Sequence, residues 1–270
     1  MSLRINHNVE ALNAHRQLVG TNEKVKKAME RLSSGYRINR GGDDAAGLGI
    51  SERMRAQIRG LAQAQRNTQD GISMVQTAEG SLAEVHAMLQ RIRELAVQYK
   101  NGSLSDTDRG AISSEVAQLG AEIERIGRQA EFNGIKLLNQ NQTITFQVGA
   151  NDGELIGVAT ISLSAAIGTS ALALSTAATA TDLSELDDAL SAVSQQRAVF
   201  GAIQNRFEHT LSAMSVYQEN LVAAESRIRD VDMAEEMVNL TKEQILMQAG
   251  QAMLAQANQS PQSVLQLLQQ

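Results

Sequence analysis

Apolar residues recur at alternating steps of three and four along much of the chain, and this spacing restricts the fold more than any other feature. The longest stripe runs from Leu183 to Ile228, and shorter ones run from Ile72 to Ala96 and from Ile112 to Ala130. Sustained spacing of this kind predicts helices that pack lengthwise, as in a coiled coil. At the α-helical rise, the longest helix would extend about 65 Å.

The composition also favours long helices. Only 3% of the residues are aromatic and there is one proline, so little interrupts a helix and the core must come from aliphatic residues. We predict a mainly α fold, a long coiled-coil-like helical bundle with a small β-hairpin. The net charge of −6 argues against a nucleic-acid partner, and the absence of Cys excludes disulfides and Cys-ligated zinc.

The two ends of the chain carry narrower apolar stripes. We predict that they pair with each other, remain partly disordered in the monomer, and become ordered when other copies cover them. Unlike patches on neighbouring copies would then give a helical filament. We also predict that Pro261 breaks the last helix or opens a final short turn. The predicted polymerisation residues are Val9, Leu12, Val19 and Leu32 at one end, and Met237, Ile245, Met253, Leu254, Val264, Leu265 and Leu268 at the other.

Glycines crowd together in LSSGYRINRGGDDAAGLGI, residues 32–50. A phosphate-binding loop is disfavoured, because no strand precedes the glycines and Glu52 holds the last position of the G-x-G-x-x-G pattern. We interpret the stretch as a joint between two helices, with a glycine stop, a glycine pair in a conformation that other residues resist, and an aspartate cap. The predicted joint consists of Gly35, Gly41, Gly42, Asp43 and Asp44.

Two apolar, β-branched runs flank Asn151-Asp152-Gly153 and predict a hairpin over about 143–163 with Asp-Gly at its turn. The Ala- and Thr-rich stretch that follows, residues 164–182, lacks a clear period. We interpret it as an exposed connection with short strand pieces.

No pattern for catalysis is present. The four histidines have no partner at i,i+4, and neither G-x-S-x-G nor H-E-x-x-H occurs. We therefore expect no enzyme activity, no metal and no cofactor. The first residues lack the apolar region of a secretory signal, and no stretch is long enough to span a membrane. On these grounds alone the sequence indicates a cytoplasmic protein.

Several long motifs resemble those of bacterial flagellins, in the same order and over nearly the whole chain. They include INHNVEALNAHR, LSSGYRINRGGDDAAGLGISERM, QRIRELAVQ, FQVGANDGE, AAESRIRDVDMAEEM and QAGQAMLAQANQSPQSVLQLL. The resemblance implies a secreted structural subunit that self-assembles into the extracellular flagellar filament used for swimming. Almost nothing lies between the hairpin and the last long stripe, so the chain resembles a short form without the variable outer domains.

The resemblance also implies domains and partners. Residues 1–42 and 230–270 would pair as an inner-core domain, and residues 43–229 would form an outer-core rod with the hairpin. The partners would be other subunits, the flagellar type III export machinery, an export chaperone, and the filament cap and hook-junction proteins, with neither nucleic acid nor membrane. A host Toll-like receptor would recognise Arg91 and Leu95, near the edge of the buried stripe, together with Glu115.

Two alternatives remain at this point. A hook–filament junction protein would share the end helices, although we expect its central region to depart from QRIRELAVQ and GANDGE. A secreted amphipathic membrane-binding protein could also expose ends rich in Met and Leu.

Overall fold

A computed structural model describes residues 8–167 and 181–268; side chains are described for these ranges except at 166, 181, 182 and 260–268. The prediction of a mainly α fold with a small hairpin is confirmed. The elements are α1 (Val9–Ser34), α2 (Ala45–Tyr99), α3 (Asp106–Gln129), β1 (Glu131–Phe132), β2 (Ile135–Lys136), β3 (Thr143–Gln147), β4 (Leu155–Ala159), α4 (Leu163–Ile167), α5 (Thr181–Arg229) and α6 (Met233–Leu268).

Contacts divide the chain into two compact units. The described residues up to Ala56 and from Asn220 onward form the terminal unit, and Gln57–Glu219 forms the central unit. Each unit therefore contains part of α2 and part of α5, because both helices continue across the division.

The central unit has a core of large aliphatic and aromatic side chains. The three predicted stripes supply most of it, so the helical periodicity identified the core correctly. These residues recur every three or four positions and therefore lie on one face of each helix. Its fully buried large side chains include Met74, Leu82, Leu89, Ile92, Ile123, Leu137, Leu138, Leu163, Leu186, Phe200 and Phe207.

Phe207 illustrates how closely this core is packed. Its ring meets the ring of Phe146 edge to face, with centroids 5.7 Å apart and an interplanar angle of 89°. On α2, Gly71 makes room for the same ring, because a Cβ added there would lie 2.8 Å from Phe207 Cζ. A position that reads as a helix-weakening glycine is thus required by packing.

The β structure consists of two antiparallel hairpins. Strands β3 and β4 pair from Thr143 with Ala159 to Gln147 with Leu155, which confirms the predicted hairpin, but its connection spans residues 148–154 rather than a two-residue turn. Strands β1 and β2 form a smaller hairpin that we did not predict. Its turn residues Asn133 and Gly134 have φ of 49° and 78°. Asn-Gly is the usual signal for such a turn, so the sequence contained the information.

Two predictions about the later part of the chain need correction. Residues 163–167 are helical, whereas we predicted strand pieces from residue 164; the rest of that segment, 168–180, lies outside the described residues. Helix α6 continues through Pro261, so the predicted break is wrong. Proline lacks the N–H that would bond to the carbonyl of Ala257. That carbonyl instead accepts a hydrogen bond from Asn8 Nδ2 at 2.7 Å.

Candidate functional site

Helices α1 and α6 pack along each other through small, charged and larger aliphatic residues, which together we call the seam. The buried and half-buried positions of both helices recur at steps of three and four, as in a coiled coil. Gly250 lies against Leu18, since a Cβ added at Gly250 would be 3.3 Å from Leu18 Cδ1. The seam consists of Ala11, Ala14, Leu18, Thr21, Val25, Ala28 and Leu32 on α1, and Glu236, Leu240, Glu243, Met247, Gly250, Leu254 and Ala257 on α6.

Two ion pairs lie across the seam. Arg31 Nη1 is 3.6 Å from Glu236 Oε2, and Lys24 Nζ is 3.7 Å from Glu243 Oε1. The two glutamates are seven residues apart, as are the two cations, so the pairs repeat with the period of the seam. They fix α1 and α6 antiparallel.

A second set of large apolar side chains on the two helices points away from the seam. Leu12 is 65% exposed, Ile245 60% and Met253 65%. Several of these side chains are seven residues apart, as Leu12 and Val19 are on α1, so they lie on one face of their helix. We call this surface the assembly face; it consists of Val9, Leu12, Val19 and Met29 on α1, and Met233, Met237, Val238, Ile245, Leu246 and Met253 on α6.

The predicted polymerisation residues therefore divide into three groups. Six of them, Val9, Leu12, Val19, Met237, Ile245 and Met253, are exposed on the assembly face. Leu32 and Leu254 are half-buried in the seam, so our single stripe at each end combined two different faces. The side chains of Val264, Leu265 and Leu268 lie outside the described part of the chain.

Sequence reasoning identified the seam only in part, because it combined residues of two faces of each helix and passed over both large and small seam residues. Ala11, Ala14 and Thr21 are small, and a search for large apolar side chains passes over them. Their regular three–four spacing was the signal that could have identified the buried face.

Backbone hydrogen bonds hold the ends of α1 and α5 together at the joint. Gly35 has φ 74° and ends α1, donating its N–H to Arg31 O. The N–H of Arg37 donates to Arg229 O at 2.7 Å, and that of Val231 donates to Gly35 O at 3.0 Å. The joint is thus a short antiparallel bridge between two distant parts of the sequence, and not merely a pliable glycine linker.

The two aspartates of the joint have different roles. Asp44 caps α2, because its Oδ1 accepts from Gly47 N at 2.8 Å. Gly47 leaves space for this cap, since a Cβ there would lie 2.4 Å from Asp44 Oδ2. Gly41 and Gly42 are not among the described residues with positive φ, so our expectation that they adopt a glycine-specific conformation is wrong.

Asp43 holds the loop before α2. Its Oδ2 accepts from the N–H groups of Asn39 and Arg40, both at 3.2 Å, and its Oδ1 lies 2.7 Å from Lys27 Nζ. The hydrogen bond with Lys27 is the main reason that the pKa of Asp43 is lowered from 3.8 to about 2. The carboxylate is therefore ionised at any ordinary pH.

Arg229 completes the joint from the end of α5. Its guanidinium lies 4.8 Å from the centroid of the Tyr36 ring, and Nη1 donates to Glu52 Oε1 at 2.8 Å. The hydrogen bond from Arg229 is the largest cause of the lowered pKa of Glu52. Glu52, which replaces the last glycine of a phosphate-loop pattern, thus serves as the partner of a structural cation.

The predicted receptor patch is only partly exposed. Arg91 Nη2 lies 2.9 Å from Glu115 Oε1 and its Nη1 lies 3.3 Å from Glu94 Oε2, and this pairing, chiefly with Glu115, raises the pKa of Arg91. Leu95, however, is 2% exposed and belongs to the core. We placed it near the edge of the stripe on α2. That placement is wrong because the core covers a wider face of α2 than the predicted stripe.

Glu154 organises the tip of the long hairpin. Its Oε2 accepts from Asn151 N at 3.1 Å and its Oε1 from Asn151 Nδ2 at 3.2 Å. The carboxylate folds over Gly149, where any Cβ would collide with it. Gly153 has φ 87°, a conformation that favours glycine. The predicted turn residues Asn151, Asp152 and Gly153 are all exposed at this tip.

Two other kinds of site have no candidate in the described ranges. Among those residues, no group of His, Asp and Glu side chains is arranged to hold a metal ion. Within the same residues, no helix is both long enough and apolar enough to cross a membrane.

Comparison with known families gives a consistent result. Residues 5–143 match the model of the bacterial flagellin N-terminal helical region, and residues 183–268 match that of the bacterial flagellin C-terminal helical region. Together the two matches cover most of the chain and include the seam, the assembly face and the joint.

Individual relatives extend over both ends. The chain is 55% identical to a flagellin of Halalkalibacterium halodurans over 98% of this chain and 99% of the relative. It is 49% identical to a flagellin of Bacillus subtilis over 98% of this chain and 100% of the relative. It is also 50% identical to the flagellar filament 33 kDa core protein of Treponema phagedenis, over 98% and 99%.

Solved structures agree with these relatives. The crystal structure of Bacillus cereus flagellin matches with a TM-score of 0.50 and 30% identity, covering 55% of this chain and 88% of that one. A putative flagellar hook-associated protein from Vibrio parahaemolyticus matches with a TM-score of 0.60 over 70% of this chain and 100% of that one. At 15% identity, the second match indicates a shared fold alone.

Proposed function

The chain belongs to the bacterial flagellin family, and from that premise we propose that the assembly face is the surface through which neighbouring subunits hold one another in the filament. As a member of this family, the chain is a structural subunit of the extracellular flagellar filament and is not an enzyme. Its full-length relatives are of similar length, so it is a short form of the family.

The exposure of large apolar side chains supports the proposal. Fully burying one such side chain contributes about 1.5–3 kcal/mol, and those of the assembly face all lie exposed on α1 and α6. So many exposed large apolar side chains on two paired helices favour an interaction site. We propose that these exposed faces make heterologous contacts with unlike surfaces on neighbouring copies, the kind of contact that can generate an open helical assembly.

The domain assignment follows from the same contacts. We propose that residues 1–42 and 230–270 form the inner core of the filament and that residues 43–229 form its outer rod. The pairing of α1 with α6 supports the inner-core domain. The bridge between Gly35 and Val231 supports a boundary at the joint, although the most compact division by contacts falls farther along α2 and α5.

The hairpin tip is a second contact surface in this proposal. Asn151, Asp152 and Gly153 project as an exposed turn, and Glu154 holds that turn in one conformation. We propose that the tip contacts the next subunit along a protofilament and influences filament curvature.

The same apolar surface explains the proposed partners during export. Exposed apolar side chains must be covered or kept apart before assembly, so we propose an export chaperone, passage through the type III apparatus in an unfolded form, and contacts with the cap and hook-junction proteins.

Receptor recognition is a separate proposal about the central unit. Arg91 and Glu115 are half-exposed, whereas Leu95 is buried and contributes by holding α2 in place. We propose that a host Toll-like receptor contacts the Arg91–Glu115 pair on free monomer. In a reporter-cell assay, Arg91→Ala and Glu115→Ala should each lower signalling, with Arg125→Ala, at another exposed ion pair on α3, as the control. Unchanged signalling from both variants would contradict the proposal.

The assembly face is tested by placing a charge on it. Ile245→Asp should prevent filament formation because a carboxylate would be buried at a subunit contact. The matched control is Val216→Asp, which places the same charge on an apolar residue of α5 that is 57% exposed and lies outside the assembly face. Electron microscopy and sedimentation would measure assembly, and circular dichroism would measure retained helix. Filaments of normal length from Ile245→Asp, or equal loss from both variants, would contradict the proposal.

A further inference from the structure

The seam of the terminal unit has a repeating pattern that does not by itself define one alignment. Both helices carry buried positions at steps of three and four, and both ion pairs repeat after seven residues. A slip of seven residues would restore the same alternation and would bring Lys24 beside Glu236, or Arg31 beside Glu243. The joint sets the alignment at one end of the seam, where the N–H of Val231 donates to Gly35 O, so the end farthest from the joint is where a further contact is needed.

One hydrogen bond lies outside the repeat. Pro261 has no N–H, so it cannot donate the helical hydrogen bond that the carbonyl of Ala257 would otherwise accept. Asn8 Nδ2 supplies a donor to that carbonyl at 2.7 Å. α6 contains one proline, and so it has only one carbonyl left unpaired in this way along its interior.

Asn8 also begins α1. Its Oδ1 accepts from the N–H of Ala11 at 3.0 Å, so the two ends of one amide group bond to two different helices. The amide therefore links the first turn of α1 to the point where α6 passes through proline. Gly250, which lies under Leu18, is a second contact that does not recur after seven residues.

We propose that Asn8 is a positioning residue that selects one register between α1 and α6 by satisfying the carbonyl that Pro261 leaves unpaired. A slipped pair would break the hydrogen bond between Asn8 Nδ2 and the Ala257 carbonyl and would shift the assembly face of α1 by about two helical turns relative to that of α6. In coiled coils, a single polar residue in an apolar seam fixes register in a comparable way.

Asn8→Ser removes the hydrogen bond to the Ala257 carbonyl but keeps the N-cap of α1, so it tests the two roles of Asn8 separately. Serine caps a helix about as well as asparagine but has no donor that reaches the Ala257 carbonyl. We expect Asn8→Ser to raise the critical subunit concentration for filament growth about tenfold, the cost of one buried acceptor left unsatisfied. Asn8→Asp, which also keeps the cap but directs a carboxylate at the carbonyl, should raise it at least as much.

The same substitution at Asn8 is then tested in a chain that also carries Pro261→Ala. Alanine restores the N–H that bonds to the Ala257 carbonyl within α6, so Asn8→Ser should have little effect in the Pro261→Ala chain. Hydrogen exchange at the Ala11 amide should show that the cap persists in the Asn8→Ser variant. The proposal is overturned if Asn8→Ser assembles like the original chain. It is also overturned if the serine variant loses as much in the Pro261→Ala background as in the original one.

Discussion

In the central unit, α2, α3 and α5 direct their largest apolar side chains inward, whereas in the terminal unit α1 and α6 leave many of theirs exposed. The central unit thus buries Phe200, Phe207 and Leu89 completely, while the terminal seam combines half-buried Leu and Met side chains with Ala, Thr, Gly and two ion pairs. The same three–four periodicity is present in both. The difference shows that periodicity identifies a helix, but the sizes of the residues on each face indicate whether its main apolar surface is covered by its own chain or by another.

The largest predicted effect is on the stability of the central unit. Phe207→Ala should lower the free energy of unfolding by about 3–5 kcal/mol, because it removes a fully buried ring and leaves a cavity beside Phe146. Urea unfolding would measure the change. Ile245→Ala, on the assembly face, should alter the same quantity by less than about 0.5 kcal/mol in the monomer. Equal losses in the two variants would eliminate the contrast between the units.

A smaller effect is expected from overfilling the central core. Gly71→Ala should destabilise the monomer by about 1–3 kcal/mol, because the added methyl group would lie 2.8 Å from the Phe207 ring. Thermal unfolding would detect the change. An unchanged or higher melting temperature would mean that this core is looser than the structure indicates.

Gly80 in the same helix is the matched control for Gly71. No atom lies within 4 Å of a Cβ added at Gly80, so only helix propensity should change. Gly80→Ala should therefore raise stability by about 0.5–1 kcal/mol. A loss of stability at Gly80 would show that helix α2 responds to alanine for a reason other than packing.

The pH dependence of the terminal unit gives the smallest effect. The pKa of Asp43 is about 2 in the folded chain and its ordinary value is 3.8, so its contribution is present above pH 3.8 and is lost as the pH falls towards 2. The protection of the Asn39 and Arg40 amides, taken relative to the intrinsic exchange rate at each pH, should fall over that interval. Asp43→Asn should remove this pH dependence at both amides, and an identical acid response in that variant would assign it to another group.

The sequence predicted the core best in the unit where the large apolar residues are also the buried ones. In the central unit, large apolar residues and buried residues are the same residues, so the stripes through Leu82, Ile123 and Val193 predicted the core. In the terminal unit, large apolar residues occur on both the covered and the exposed sides of each helix. The pattern of Val9 and Leu12 therefore indicated a helix but not which side faces its partner helix.

Other errors had local physical causes. Leu95 was expected near the edge of a stripe, but several elements pack on α2 and cover a wider face. Pro261 was expected to end a helix, but the side chain of Asn8, 249 residues from Ala257 in the sequence, satisfies the carbonyl that proline leaves unpaired. Such a long-range hydrogen bond leaves no local sequence signal.

The central claim is that α1 and α6 depend on neighbouring subunits, whereas the central unit does not. Amide hydrogen exchange, compared residue by residue between monomer and filament, tests it directly. We predict that amides of α1 and α6 exchange rapidly in the monomer and become strongly protected on assembly, while those around Leu89 and Phe200 are protected in both. Equal protection of α1, α6 and the central unit in the monomer, without a further increase in the filament, would contradict the account.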